Sequence, residues 1–177
     1  MEEVVRKAII DGQPRTRRPW NKILIVVEGI YSMEGIICQL PAIVEIKKKY
    51  NCYLYVDEAH SIGALGKTGR GVCEYWGVDP KDIDILMGTY TKSFASSGGY
   101  ICSDKKTIDF LRVNSFASVS DFSMPVPLAQ QIISSLSVIM GKDGSNDGQS
   151  RYEPFLPPLL FFELDFTRIL IYNATQT

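Results

Sequence analysis

Lys92, in Thr91-Lys-Ser-Phe94, is a nucleophilic amine lying just after an apolar run and inside a polar, Gly-rich turn. An amine so placed can hold a carbonyl cofactor as an imine and can afterwards carry a proton. Asp57 and His60, in Asp57-Glu-Ala-His60, follow a second apolar run. A carboxylate there can keep a heteroaromatic ring nitrogen protonated, so that the ring acts as an electron sink. A histidine nearby can hydrogen-bond a ring hydroxyl or a substrate carboxylate. Ser32, Thr89 and Thr91 add hydroxyls that, with backbone N–H groups, can hold a phosphate. Taken singly, each residue has a plainer reading. Asp57 suits a helix N-cap, or the acidic box of a nucleotide-binding module; His60 suits a structural histidine, and Lys92 a solvated lysine. The series Gly63, Gly66, Gly69, Gly71 lacks the Gly-Lys-Ser/Thr of a P-loop and reads as a tight loop needing positive φ.

Positioning these groups requires a frame, and the apolar pattern supplies one. Residues 22–28 contain Ile-Leu-Ile-Val-Val, a β-branched run of strand length that predicts a strand buried on both faces. Further strands are predicted over residues 52–56 and 83–87, with residues 100–102 as an antiparallel or edge strand. Helices are predicted over residues 2–10, 40–50, 105–114 and 127–140, with a short one ending at Tyr75. Pro41 suits a first helical turn, and Lys47-Lys-Lys49 suits a helix C-terminus as a solvated end. Strand and helix alternate, so the fold class is α/β with a mainly parallel sheet and flanking helices. The polar clusters at 28–32, 57–60 and 88–92 all fall just after strand ends. Ligands bind at that edge in open α/β sheets.

Bulk properties narrow the field further. The chain has 177 residues, 45% of them apolar and 22% charged, with a formal net charge of −1, a globular composition with no overall field for nucleic acid. Cys38, Cys52, Cys73 and Cys102 form no Cys-x-x-Cys pair, and His60 is not at metal-ligand spacing from them, which argues against a metal site. No apolar window reaches spanning length. Residues 142–150 read as a polar, Gly-rich linker, and 153–172 as a Pro-, Phe- and Leu-rich stretch.

The order and spacing of four blocks decide between readings. Glu28-Gly-Ile-Tyr-Ser-Met-Glu-Gly35, Asp57-Glu-Ala-His-Ser-Ile-Gly-Ala-Leu-Gly66, Gly69-Arg-Gly71 and Gly88-Thr-Tyr-Thr-Lys-Ser-Phe94 together resemble the α-oxoamine synthase family of fold-type I pyridoxal-phosphate enzymes. Gly12-Gln-Pro-Arg-Thr-Arg-Arg-Pro-Trp20 and Thr91-Lys-Ser-Phe94 narrow the resemblance to the lysine-bearing long-chain-base subunits of serine palmitoyltransferases. The resemblance covers residues 1–149, as part of a cofactor-binding large domain, and leaves 150–177 as a divergent tail. It implies pyridoxal 5'-phosphate as cofactor and a decarboxylating condensation of L-serine with a long-chain acyl-CoA. It implies that Lys92 forms the imine tether and then acts as base, and that Asp57 pairs with the pyridinium nitrogen. His60 would hydrogen-bond the ring hydroxyl or substrate carboxylate, Ser32 would contact the cofactor near its ring oxygen, and Thr89 would help bind the phosphate. A lysine-less partner subunit and the cytosolic face of the endoplasmic reticulum membrane are implied too, with membrane contact made by segments outside this chain or by the partner.

This sequence departs from the family pattern in three ways. The family extends on both sides of the matched region. Ala95 stands where Gly usually follows Lys-Ser-Phe, and Phe122 stands where a hydroxyl residue usually reaches a neighbouring subunit's cofactor phosphate. A truncated, non-catalytic isoform that pairs with the partner subunit is therefore the alternative expectation.

Overall fold

The computed structural model describes residues 1–116 and 123–145, together with the backbone of 168–170. Helix α1 (Glu2–Asp11) carries Glu2 and Glu3 in its first turn, where carboxylates suit the helix dipole, and buries Val5. Strand β1 (Leu24–Glu28) follows, then a hairpin of β2 (Ile30–Tyr31) and β3 (Ile36–Ile37) with Ser32 in its turn. Helix α2 (Leu40–Tyr50) starts with Pro41 in its first turn and stops at Asn51 in a left-handed conformation. Then come β4 (Tyr53–Asp57), α3 (Val72–Trp76), β5 (Ile85–Thr89), β6 (Gly99–Ser103), α4 (Lys105–Asn114), α5 (Val126–Ile139) and β7 (Arg168–Leu170).

Five strands form one sheet in the order β6-β5-β4-β1-β7. The central three are parallel, and β6 and β7 flank them antiparallel. The fold is thus α/β with a mostly parallel sheet, as the apolar pattern predicts. Burial differs from expectation in one respect. Along β1 only Ile25 and Val27 are buried, while Leu24, Val26 and Glu28 are half-exposed. The reason is the placement of the helices: Val5, Leu40, Ile43, Val44, Val72 and Cys73 join Ile25, Val27, Leu54 and Val56 in one core on one side of the sheet. The opposite side, with Tyr55, Met87 and Ile101, is half-exposed or exposed.

Of the lysines ending α2, Lys48 and Lys49 form the expected solvated helix end, and Lys47 departs from it. Lys47 pairs with Asp84 at 2.8 Å, Lys48 with Asp82 at 2.8 Å and Lys49 with Glu2 at 2.7 Å. Lys47 is largely buried and also donates to the Asp82 carbonyl at 2.7 Å, so it ties α2 to the entry of β5. The two outer pairs are solvent-screened surface contacts worth little. Among the described residues no helix is long and apolar enough to cross a membrane.

Candidate active site at the carboxyl edge of the sheet

Register does the first part of the positioning. Glu28 on β1 lies beside Asp57 on β4, and Asp57 lies beside Met87 on β5. Two bonds carry the ladder one residue further: the Gly29 N–H to the Asp57 carbonyl and the Glu58 N–H to the Met87 carbonyl, both 2.7 Å. Strands β1 and β4 therefore end level, β5 runs two residues further to Thr89, and the three carboxyl ends lie at one edge. Asp57 is half-buried, and its Oδ1 accepts the Ala59 N–H at 2.8 Å. A cavity of about 400 Å³ opens beside it, lined by Val26, Glu28, Tyr31, Ser32, Tyr55 and Asp57 among others. The β2–β3 hairpin thus brings Ser32 to the wall of the cavity that Asp57 also lines.

The turn after β4 is held from beneath. Strand alternation puts Leu54, Val56 and then Glu58 on the core side, and Glu58 is 3% exposed. Its carboxylate accepts the Ser61 hydroxyl, and Oε2 also accepts the Val72 N–H at 3.1 Å. Burial pushes the Glu58 carboxyl above its ordinary range, and these two donors oppose the rise. Burial first, and the Glu58 charge second, push the Cys38 and Cys73 thiols up to about 12, so both are inert as nucleophiles near neutrality. Glu58 anchors the short turn bearing Asp57 and His60 to the start of α3. Its residue type does not single it out beside Asp57 and His60, although the alternation Leu54, Val56, Glu58 marks it as inward-facing.

Lys92 sits in the loop between β5 and β6. This loop is closed by Tyr90 N–H to Gly98 O and Ser96 N–H to Tyr90 O, both 2.9 Å. The Thr89 hydroxyl donates to Gly98 O at 3.0 Å and lies 2.8 Å from the Thr91 hydroxyl. Phe94 is buried, and the Ser93 hydroxyl donates to the Ile62 carbonyl at 2.8 Å, which latches the lysine loop to the segment following His60. Lys92 is exposed and has no carboxylate partner among the described residues. Asp57 and Ser32 share the cavity. Thr89, Lys92 and the half-exposed His60 border the same edge without lining it. Phe122 and most of the 150–177 tail lie outside the described residues.

The glycine series is a self-contained turn. Gly63 N–H reaches Gly69 O at 2.8 Å and Gly71 N–H reaches Leu65 O at 2.9 Å. Glu74 takes the N–H groups of Thr68 and Arg70 at 3.1 and 3.0 Å. A side-chain carboxylate already occupies the place an anion would need.

Ala95 follows Lys92-Ser-Phe with φ at 49°, left-handed backbone that costs a residue with a Cβ about 1 kcal/mol or more. Ala95→Gly is expected to stabilise the chain by about 0.5–1 kcal/mol, read as a rise in the denaturation midpoint. An unchanged or lower midpoint would show that Ala95 is unstrained.

The chain is similar to proteins already known. Residues 7–140 match the family model described as aminotransferase class I and II. The chain is 61% identical over its whole length to serine palmitoyltransferase 2 of Caenorhabditis elegans, covering 32% of that protein. It is 56% identical to serine palmitoyltransferase 3 of Homo sapiens over 92% of the chain, covering 29% of that protein. Long chain base biosynthesis protein 2a of Arabidopsis thaliana is 53% identical over 96% of the chain, with 35% of that protein covered. The chain thus spans about a third of the length of these relatives. Among solved structures, an SPT carrying PLP as internal aldimine superposes with a TM-score of 0.67 at 31% identity, over 81% of this chain and 34% of that one. Sphingomonas wittichii serine palmitoyltransferase gives a TM-score of 0.66 at 32% identity, over 79% of this chain and 34% of that one.

Proposed function

The chain belongs to the aminotransferase class I and II family, and on that premise we propose that it is the core of a serine palmitoyltransferase catalytic subunit. It takes part in the pyridoxal-phosphate-dependent, decarboxylating condensation of L-serine with a long-chain acyl-CoA. The observation that carries this reading is one edge of one sheet bearing an acidic residue level with its neighbours and a lysine loop latched to that residue's own turn.

The residues fit the cofactor. Asp57 spends Oδ1 on Ala59 and leaves Oδ2 for a ring nitrogen. Lys92 has an exposed amine without an ion-pair partner among the described residues. Ser32 stands on the cavity wall, and Thr89 offers a hydroxyl at the end of β5. When bound, the cofactor supplies an electron sink for the negative charge left at the substrate α-carbon. Asp57 holds the proton on the ring nitrogen, and Lys92 tethers the cofactor and moves the α-proton. His60 orients the ring hydroxyl or substrate carboxylate, Ser32 contacts the ring oxygen and Thr89 the phosphate. Residues 1–149 form part of the cofactor-binding large domain, with 150–177 as a divergent tail. The site is completed by a lysine-less partner subunit at the cytosolic face of the endoplasmic reticulum membrane.

A second reading is a non-catalytic form that pairs with the partner without turnover; the observation behind it is Ala95, held at φ 49° three residues after Lys92 where the family has Gly. Borohydride reduction of the chain after adding pyridoxal phosphate, followed by peptide mapping, tests the first. A visible imine band with label on Lys92, absent in Lys92→Ala, is the expected result. Label scattered over surface lysines would overturn it. A Lys92 band that L-serine leaves unchanged would favour the non-catalytic form.

A further inference from the structure

The segment before β1 has no part in the site described. Residues 6–22 hold six cations, Arg6, Lys7, Arg15, Arg17, Arg18 and Lys22, against one acid, Asp11, in a chain whose net charge is −1. We infer that the 12–19 loop and the adjoining end of α1 form a docking surface for an anionic lipid bilayer. This surface lies within the chain itself and is separate from any membrane contact made by segments outside it.

The loop is built to hold its arginines outward. Gln13 is its hub: its N–H reaches Arg18 O at 2.8 Å, its carbonyl accepts the Arg17 N–H at 2.9 Å, and its Nε2 donates to Pro19 O at 2.8 Å. The Trp20 indole N–H fastens the loop to α1 through Ala8 O at 2.9 Å. Arg15, Arg17 and Arg18 are all exposed, and none meets a carboxylate among the described residues. The lysines of α2 show the contrast, since each has an acidic partner.

Apolar side chains flank this charge. Ile10 is 77% exposed and Ile9 is 43% exposed, at the end of α1 that feeds the loop. Arg17 Nη1 donates to the Asp11 carbonyl at 3.3 Å, which leaves its charge without a carboxylate. Exposed isoleucine beside guanidinium groups without a carboxylate partner suits the headgroup boundary of a bilayer: the cations meet lipid phosphate and carboxylate while the apolar chains enter the acyl region. An acidic polypeptide would satisfy the arginines but leave Ile10 in water. The loop enters β1 at its amino end, whereas Asp57 and Glu28 lie at the carboxyl ends, so docking here leaves the cofactor edge open.

Flotation of the full chain with phosphatidylcholine vesicles, with and without phosphatidylserine, tests the surface. Binding is expected to the phosphatidylserine vesicles alone and to fall with added salt. Replacing Arg15, Arg17 and Arg18 together by Gln is expected to weaken it on the order of a hundredfold, and Ile10→Ser several-fold. All four side chains are exposed, so the fold tolerates these changes, and an unchanged circular dichroism spectrum checks this. Equal binding to both vesicle types, retained binding in the triple variant, or no vesicle binding while polyglutamate is captured would each overturn the inference.

Discussion

Gly71→Ala is expected to destabilise the chain by about 3–5 kcal/mol. Two costs combine. Gly71 stands at the start of α3 with φ 85° and ψ −162°, a region essentially closed to residues with a Cβ. A Cβ there would also lie 2.2 Å from Glu58 Oε2 and 2.7 Å from its Cδ. Glu58 cannot step aside, because Ser61 and the Val72 N–H hold it in a buried pocket. Gly77→Ala separates the two costs: its φ is 67°, yet nothing lies within 4 Å of the added Cβ. That change is expected to cost about 1 kcal/mol. Denaturant midpoints for both variants measure the difference. A Gly71→Ala variant no worse than Gly77→Ala would mean that the Glu58 pocket yields, and that the turn beneath Asp57 is softer than its hydrogen bonds indicate. Combining Gly71→Ala with Glu58→Ala should be non-additive by more than about 1 kcal/mol, since the second change removes the atoms the first one strikes.

Much of this arrangement was legible from residue pattern. The helices over 40–50 and 105–114 fall where periodicity and end signals put them, because Pro41, the α2 lysines and the Asp104 N-cap mark their ends locally. Strand ends shift where pairing, rather than apolarity, decides. Ile83 is buried in the core just before β5, while the ladder of β5 runs on to Thr89, because Gly99 pairs with it. A run of isoleucine and valine cannot say whether one face or both will be covered. That depends on which helices lie across the sheet, which is why β1 alternates despite its continuous apolar sequence.

The site shows the same division. Asp57, Ser32, Thr89 and Lys92 could be placed after strand ends, and register then set Asp57 level with Glu28. The latch from Ser93 to Ile62 spans residues far apart in sequence and left no local signal. The α2 lysines carried no sign that Asp82, Asp84 and Glu2 would meet them. Glu58 was masked by its more conspicuous neighbours, Asp57 and His60, although its inward position follows from the alternation that buries Leu54 and Val56.

Glu58 therefore carries the second large effect. Glu58→Ala should cost about 3 kcal/mol, because it strands a buried hydroxyl and a buried helix N–H at once. Glu58→Gln keeps a carbonyl acceptor for one of these donors and has no charge to desolvate, so it is expected to stay within about 1 kcal/mol of the parent at neutral pH. The pH dependence distinguishes an anchoring carboxylate from an inert filler. Burial raises the folded-state pKa of Glu58 above its ordinary 4.5, so the folded chain binds this proton more tightly than the unfolded one. The Glu58 contribution to stability is thus fully present below 4.5 and is lost as pH rises through the higher folded value. Subtracting the Glu58→Gln unfolding curve from that of the parent isolates the contribution, because other carboxylates cancel. A difference that falls with rising pH from 4.5 upward is expected. A flat difference would mean that the carboxyl titrates alike in both states. One that rises with pH would mean that Ser61 and the Val72 N–H outweigh burial and hold Glu58 as a stabilised anion beneath Asp57.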